Sequence, residues 1–485
     1  MRRRSLLAGA LGGAFLISTS GALSACATVD TVGKVDFTRP LLIPLLAESR
    51  IDDAGRRVFN LHAQRGRRDF GVEGPTRTLG FNGDYLGPTL RARRGEHVMV
   101  NVVNDLTEKT SVHWHGMHLP ARMDGGPHQP VRPGATWSPD WTVDQPAATL
   151  WYHPHPHGHT REHVNQGLAG LFILDDDDPA QRVLPHEYGV DDIPVIVQDK
   201  SLHKDEIRDH DSGDLLLVNG TYAPCLDVRT DRVRLRLLNA SVSRTYAFGL
   251  ADQRQIQLVA TDGGLLPAPA TVTTIRLSPG ERAEVVVPMR ATERTVLRSF
   301  PPAGGRGIDG GKDQFDVLEL RAAGRLRSAG AVPATLGAMT RLDPANATVT
   351  REFRLSGTNI NGDKMDLDRI DLVAEKGATE IWTVRNTDGQ RHNFHVHDVQ
   401  FQVLSVDGGR PPADLEGWKD TVFLPPKSEI TLILRFADYA DPTMPYMYHC
   451  HLLMHEDKGM MGQFVVVEPG QSAGPIGGVG GHEHR

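Results

Sequence analysis

The chain has 485 residues, 39% of them in the set AVILMFWYC, with 50 glycines and 32 prolines. That is core material for about three domains at roughly 150 residues each, and the density of turn residues favours β architecture. The net charge of −7 is spread without a long basic block, which excludes the electrostatic footprint of a nucleic-acid partner.

Arg2, Arg3 and Arg4 precede an apolar run from Leu6, and small residues lead to Leu23-Ser24-Ala25-Cys26. Residues 1–25 read as an export signal, too short and too broken by Gly and Ser for a membrane span. The arginines with Ser-Leu-Leu resemble a twin-arginine signal, and Leu-Ser-Ala-Cys resembles the lipobox of bacterial lipoproteins. Together they imply an exported protein of the cell envelope, on its periplasmic or extracellular face, with a lipid anchor on Cys26.

An internal repeat organises the rest of the chain. Asn-Gly recurs at Asn82-Gly83, Asn219-Gly220 and Asn361-Gly362, at intervals of about 140 residues. An alternating stretch comes after each and ends near Asn104, Asn239 or Asn386. Three copies of one β domain are expected, at residues 39–175, 191–322 and 343–470. Residues 323–342, rich in Ala, Gly and Arg, read as a linker, and residues 471–485 as a disordered, Gly-rich tail.

The histidines divide between the outer copies. Copy one carries His113-Trp114-His115 and His153-Pro154-His155; copy three carries His395-Val396-His397 and His449-Cys450-His451. Copy two has Phe248 where the others begin a His-x-His, so it is expected to act as a spacer. His157, His159 and His163, after the second pair, read either as a polar loop or as an alternative copper-gathering patch, the loop being the default for a polar run. In an extended chain alternate side chains share a face, so His449 and His451 point one way and Cys450 the other. Thiolate, imidazole and a weak axial thioether are the donors of a blue electron-transfer copper, and His455 and Met460 lie close enough to complete them with Cys450. By the same parity His392 falls opposite His395 and His397 and joins Cys450. With Cys450 on metal and Cys26 in the signal, Cys225 has no disulfide partner and reads as a buried small side chain.

These motifs, His-Trp-His-Gly, His-Pro-His, His-x-x-His-x-His and His-Cys-His-x-x-x-His-x-x-x-x-Met, resemble the ligand set of the three-domain multicopper oxidases. The chain is most similar to bacterial copper-efflux oxidases, in Met123-Asp124-Gly125-Gly126-Pro127 and His451-Leu452-Leu453-Met454-His455-Glu456-Asp457. It is similar also to bilirubin oxidases and laccases. The resemblance implies an all-β protein of three cupredoxin-like Greek-key barrels holding four coppers. It assigns the type 1 copper to His392, Cys450, His455 and Met460, and the type 2 copper to His113 and His395. One type 3 copper falls to His115, His153 and His451, and the other to His155, His397 and His449. Glu456 and Asp124 are the implied proton carriers. The implied partners are O2 and a small reducing substrate, Cu(I) or a phenol, and a monomer is expected.

Substrate is less sharply drawn. Copper-efflux oxidases carry a Met-rich insertion before the third motif, and this chain lacks it. Asp388 matches their Cu(I)-binding Asp, whereas Gln390 stands where they have Met. Loss of the insertion predicts a more open His392 or His455 edge and ready oxidation of phenols. A non-enzymatic envelope scaffold is a third class, disfavoured because all twelve ligand positions are filled.

Overall fold

Each alternating stretch forms a strand that ends on its asparagine: His97–Asn104, Arg232–Asn239 and Thr379–Asn386. The computed structural model describes residues 28–303 and 310–477; the export signal, Cys26 and the histidines of the last nine residues lie outside the described residues. Each of these strands runs parallel to an earlier one, with Asn60 beside Asn101, Ile196 beside Leu238 and Phe353 beside Val384.

The repeat is a repeat of hydrogen bonds. Asn82, Asn219 and Asn361 sit at φ of 56°, 51° and 57°, a left-handed conformation that Asn tolerates better than most residues. The Oδ1 atom of each accepts from a backbone N–H of that earlier strand of its copy, at His62, Ile196 and Arg354. The matching Nδ2 atoms donate two residues earlier, to Asn60, Pro194 and Glu352. The closing asparagines repeat a second pattern. Asn104 donates to the carbonyls of Glu108 and Val131, Asn239 to those of Arg244 and Leu277, and Asn386 to those of Gln390 and Leu424.

Each copy places two sheets around its own apolar core. Phe59, Trp114, Trp141 and Phe172 lie in the first core, Val195, Leu235, Phe248 and Leu318 in the second, and Trp382, Phe394, Leu432 and Phe464 in the third. Two sheets matter for function. In the first copy Ala148–His153 lies between Gly170–Asp175 and His113–His115; in the third Tyr446–His449 lies between Met461–Val467 and His392–Val396. His153 faces His113 across one ladder and His449 faces His395 across the other, so the outer copies present matching histidines.

Three expectations are corrected. The linker expected at 323–342 begins later, because the strand Phe315–Arg327 continues through its first five residues and still pairs Arg327 with Thr230 after a bulge. Further along, Leu336 is buried in the middle core and its N–H donates to Pro267. The tail expected from 471 is held as far as 477, where Gly474 and Gly477 donate to the carbonyls of Pro442 and Thr443. The polar loop around His163 is the helix Thr160–Gln166, with His163 buried against Thr110 while His157 and His159 are exposed.

Asn239→Ala leaves the buried carbonyls of Arg244 and Leu277 and the N–H of Ser241 without their partner. A loss of about 2–4 kcal/mol in urea unfolding is expected from the cost of unpaired buried groups. An unchanged midpoint would contradict the part assigned to the closing asparagine.

Candidate metal centre

The strand Tyr446–His449 ends one residue before Cys450, yet the alternation continues through His451. Cys450 donates its N–H to the carbonyl of Met460, and His451 donates to Asn393 Oδ1 at 2.5 Å, so both residues stay extended against fixed neighbours. Phe394, Val396, Tyr448 and Cys450 point into the third core. His395, His449 and His451 point away from it, with ring centroids 5.3 Å apart for His395 and His449 and 5.5 Å for His449 and His451.

On the core side, Cys450 Sγ lies 3.8 Å from His392 Nδ1 and 3.6 Å from His455 Nδ1, and the two nitrogens are 3.1 Å apart. Met460 is fully buried in the same core. Burial pushes the metal-free Cys450 thiol up to about 12 and holds His455 at about 3, so this pocket favours neutral groups until a cation enters. A bound soft metal takes the sulfur as thiolate. The outer nitrogen of His392 meets Asp388 Oδ2 at 3.1 Å, and Asp388 accepts from the N–H groups of Gly357 and Gln390 as well. The open histidine edge expected from the missing insertion is not found. His392 is 0% exposed and His455 6%, because Asp388 and its turn cover the first and the short helix Leu453–Asp457 carries the second inward.

On the other side eight histidines converge, all buried. His153 Nε2 lies 3.4 Å from both His115 Nδ1 and His451 Nε2, and His449 Nε2 lies 3.2 Å from both His155 Nε2 and His397 Nε2. The Nε2 atoms of His113 and His395 are buried without a hydrogen-bond partner. Burial first, then the neighbouring imidazoles, keep His115, His395 and His397 well below the usual histidine value; burial likewise holds His155, His449 and His451 at about 3. These rings are neutral, with lone pairs directed at one another and at unpaired space. The donor set fits borderline and soft transition metals, copper included.

Carboxylates stand behind the rings. Asp124 Oδ2 lies 2.7 Å from His397 Nδ1 and its Oδ1 3.3 Å from His113 Nδ1. Glu456 is 3.2 Å from His449 Nδ1 and 3.6 Å from His155 Nδ1, and neither of its oxygens has an aligned hydrogen-bond partner. Four contributors carry no sequence signature of their own. Asp420 and Thr421 meet His115 Nε2, Asn393 holds the Cys450–His451 segment, and Gly280 of the middle copy packs so tightly that a Cβ there would lie 3.2 Å from His115 and His451. The middle copy is therefore no spacer: its 278–282 turn closes one wall of the cluster.

The metal-free cluster predicts a pH dependence. Histidines whose folded pKa lies below the unfolded 6.5 contribute no cost above that value and destabilise the fold as pH falls from about 6.5 toward about 3. The urea midpoint of metal-free protein is expected to drop markedly between pH 7 and pH 5. A flat profile would contradict neutral burial of these rings.

Comparison with known proteins agrees with this donor set. Models of the multicopper oxidase family match residues 63–179, 200–296 and 334–470. The chain is 35% identical to multicopper oxidase mco of Staphylococcus epidermidis over 88% of its own length and 92% of the relative. It is 34% identical to cell division protein FtsP of Escherichia coli, over 88% and 93% of the two chains. Among solved structures it is similar to the laccase-like multi-copper oxidase CueO of Ochrobactrum sp., at 36% identity and a TM-score of 0.81 over 88% of this chain and 100% of that one. The all-β, cupredoxin-like architecture is shared, and the chain belongs to the multicopper oxidase family.

Proposed function

We propose that this protein takes single electrons from a reducing substrate at the Cys450 pocket and delivers them to the histidine cluster, where O2 is reduced to water. The observation that carries this reading is the segment 449–451, whose middle side chain enters one donor set while its neighbours enter the other. Bound copper supplies the one-electron redox chemistry and the affinity for O2, with four ions per chain giving the four electrons that O2 requires.

His392, Cys450, His455 and Met460 hold the type 1 ion. The unpaired Nε2 atoms of His113 and His395 support their assignment to the type 2 ion. The 3.4 Å contacts support one type 3 site at His115, His153 and His451, and the 3.2 Å contacts support the other at His155, His397 and His449. Glu456, buried with unsatisfied oxygens between two of these rings, holds protons for O2 reduction. Asp124 orients His397 and shares that task. Among the described residues no helix is long and apolar enough to cross a membrane. Export and attachment through Cys26 rest on the signal residues, and release of a Cys26→Ala variant from the membrane fraction tests them.

For substrate, the covered histidine edge supports a small reductant. Cu(I) can approach the partly exposed carboxylate of Asp388, one imidazole away from the thiolate pocket, whereas an aromatic ring has no direct face of His392 to meet. A role in copper tolerance follows. The likeness to a laccase-like oxidase described as active on lignin model compounds favours phenols as the second reading. The similarity to FtsP raises the scaffold reading, which a complete, converged donor set disfavours.

Cys450→Ser is expected to abolish blue colour and substrate oxidation together, while Glu456→Gln keeps the colour and slows O2 reduction at least about tenfold, since an amide keeps the shape but delivers no proton. Blue colour surviving in the first variant, or unchanged turnover in the second, would remove the role assigned. Oxygen uptake measured side by side with Cu(I) and a phenol decides the substrate. Faster uptake with Cu(I) is expected, and refusal of Cu(I) would leave the phenol reading.

A further inference from the structure

Seven of the eight cluster histidines turn Nε2 inward; His115 alone among them presents Nδ1 to His153. Its Nε2 instead points to Asp420 Oδ1 at 3.0 Å and Thr421 Oγ1 at 3.1 Å. Which ring nitrogen of a histidine keeps its lone pair is set by the hydrogen bond the other makes. A hydrogen-bond acceptor at Nε2 holds His115 in the tautomer with Nδ1 free for metal. Asp420 therefore has to be fixed in a fully buried place with an oxygen kept on Nε2.

Arg282 does both. Its Nη1 and Nη2 each reach one oxygen of Asp420 at 2.7 Å, and both side chains are buried. The remaining donors are all used: Nε to the carbonyl of Thr149, Nη1 to that of Gly280 and Nη2 to that of Asp262. One guanidinium thus ties the first copy, the middle copy and the third copy together with its five N–H groups, a load the three donors of a lysine on a flexible stem cannot carry. Gly116, the last residue of His-Trp-His-Gly, makes room for the pair. At φ 86° it has no Cβ, and one placed there would lie 2.6 Å from Asp420 Oδ2 and 2.7 Å from Arg282 Nη2.

We infer that Arg282 is a positioning residue for the type 3 copper held by His115: the middle copy, which has no metal ligand of its own, sets the orientation and tautomer of His115 through Asp420. This rests on the proposed oxidase function and assigns the middle copy a part in it. The reaction does not pass through Arg282, so the readouts are metal retention and the magnetic state of the copper pair rather than turnover alone.

The test uses copper-loaded full-length protein with Arg282→Lys, Asp420→Asn and, as a control, Arg234→Lys, another buried arginine, whose bonds go to Glu284 and Gln181 and not to Asp420. Blue absorption reports the Cys450 site and hence folding. Both test variants are expected to keep the blue colour, gain copper detectable by electron paramagnetic resonance at the expense of the silent coupled pair, and lose cluster copper at about 10–100-fold lower chelator, as for other outer-sphere partners of metal-bound histidine. The control is expected to match wild type. If Arg282→Lys fails to fold, the nearly isosteric Asp420→Asn decides. A fully silent pair and wild-type chelator resistance in Asp420→Asn overturn the inference, and so does loss of blue colour in that variant, which would make the role one of folding. Absence of a silent pair in wild type itself would instead overturn the oxidase reading.

Discussion

Eight imidazoles are buried with nitrogens facing one another, burial holds seven of them below the usual histidine value, and no hydrogen-bonding pattern among acceptors resolves that arrangement. An unpaired buried polar atom costs about 1–3 kcal/mol, so the cluster is a concentrated debt of the metal-free fold. Only a cation among the nitrogens cancels it, which couples metal binding to folding stability. The surrounding architecture keeps the rings in place despite the cost. Carbonyls of Asp124, Pro154, Asp420 and Cys450 hold the Nδ1 sides of His113, His153, His395 and His449, and the Asp124 carboxylate holds that of His397.

The three copies divide this work unequally. The outer two offer matching ladders of histidines, and the middle one offers charge and shape. Gly280 allows its turn to approach the rings, Ser278 and Pro279 accept from Asn393, and Asn393 in turn fixes the Cys450–His451 segment. The backbone that separates the two donor sets is thus braced from a copy that holds neither.

Much of this was legible in the sequence because it is carried by short-range rules. Side-chain alternation separates Cys450 from His449 and His451 even though the strand proper stops at His449. The Asn-Gly and closing asparagines mark the repeat because each performs the same backbone bonds in its copy. What escaped was set by long-range contact. Arg282 and Asp420 are 138 residues apart and have no motif; the weak signal was two charges, Arg282 and Glu284, at the start of a stretch that continues Val285-Val286-Val287. The linker was misjudged because its first residues, 323–327, continue the strand Phe315–Arg327, whose far end still pairs Arg327 with Thr230 after a bulge. The open substrate edge was inferred from a missing insertion, and composition could not reveal that Asp388 folds onto His392.

Anomalous diffraction at the copper edge from crystals of copper-loaded protein addresses the central claim most directly. One strong peak is expected between Cys450, His392 and His455, and three among the eight histidines on the opposite side of the 449–451 segment. A histidine cluster empty of copper, or a single peak at Cys450 alone, would contradict the account.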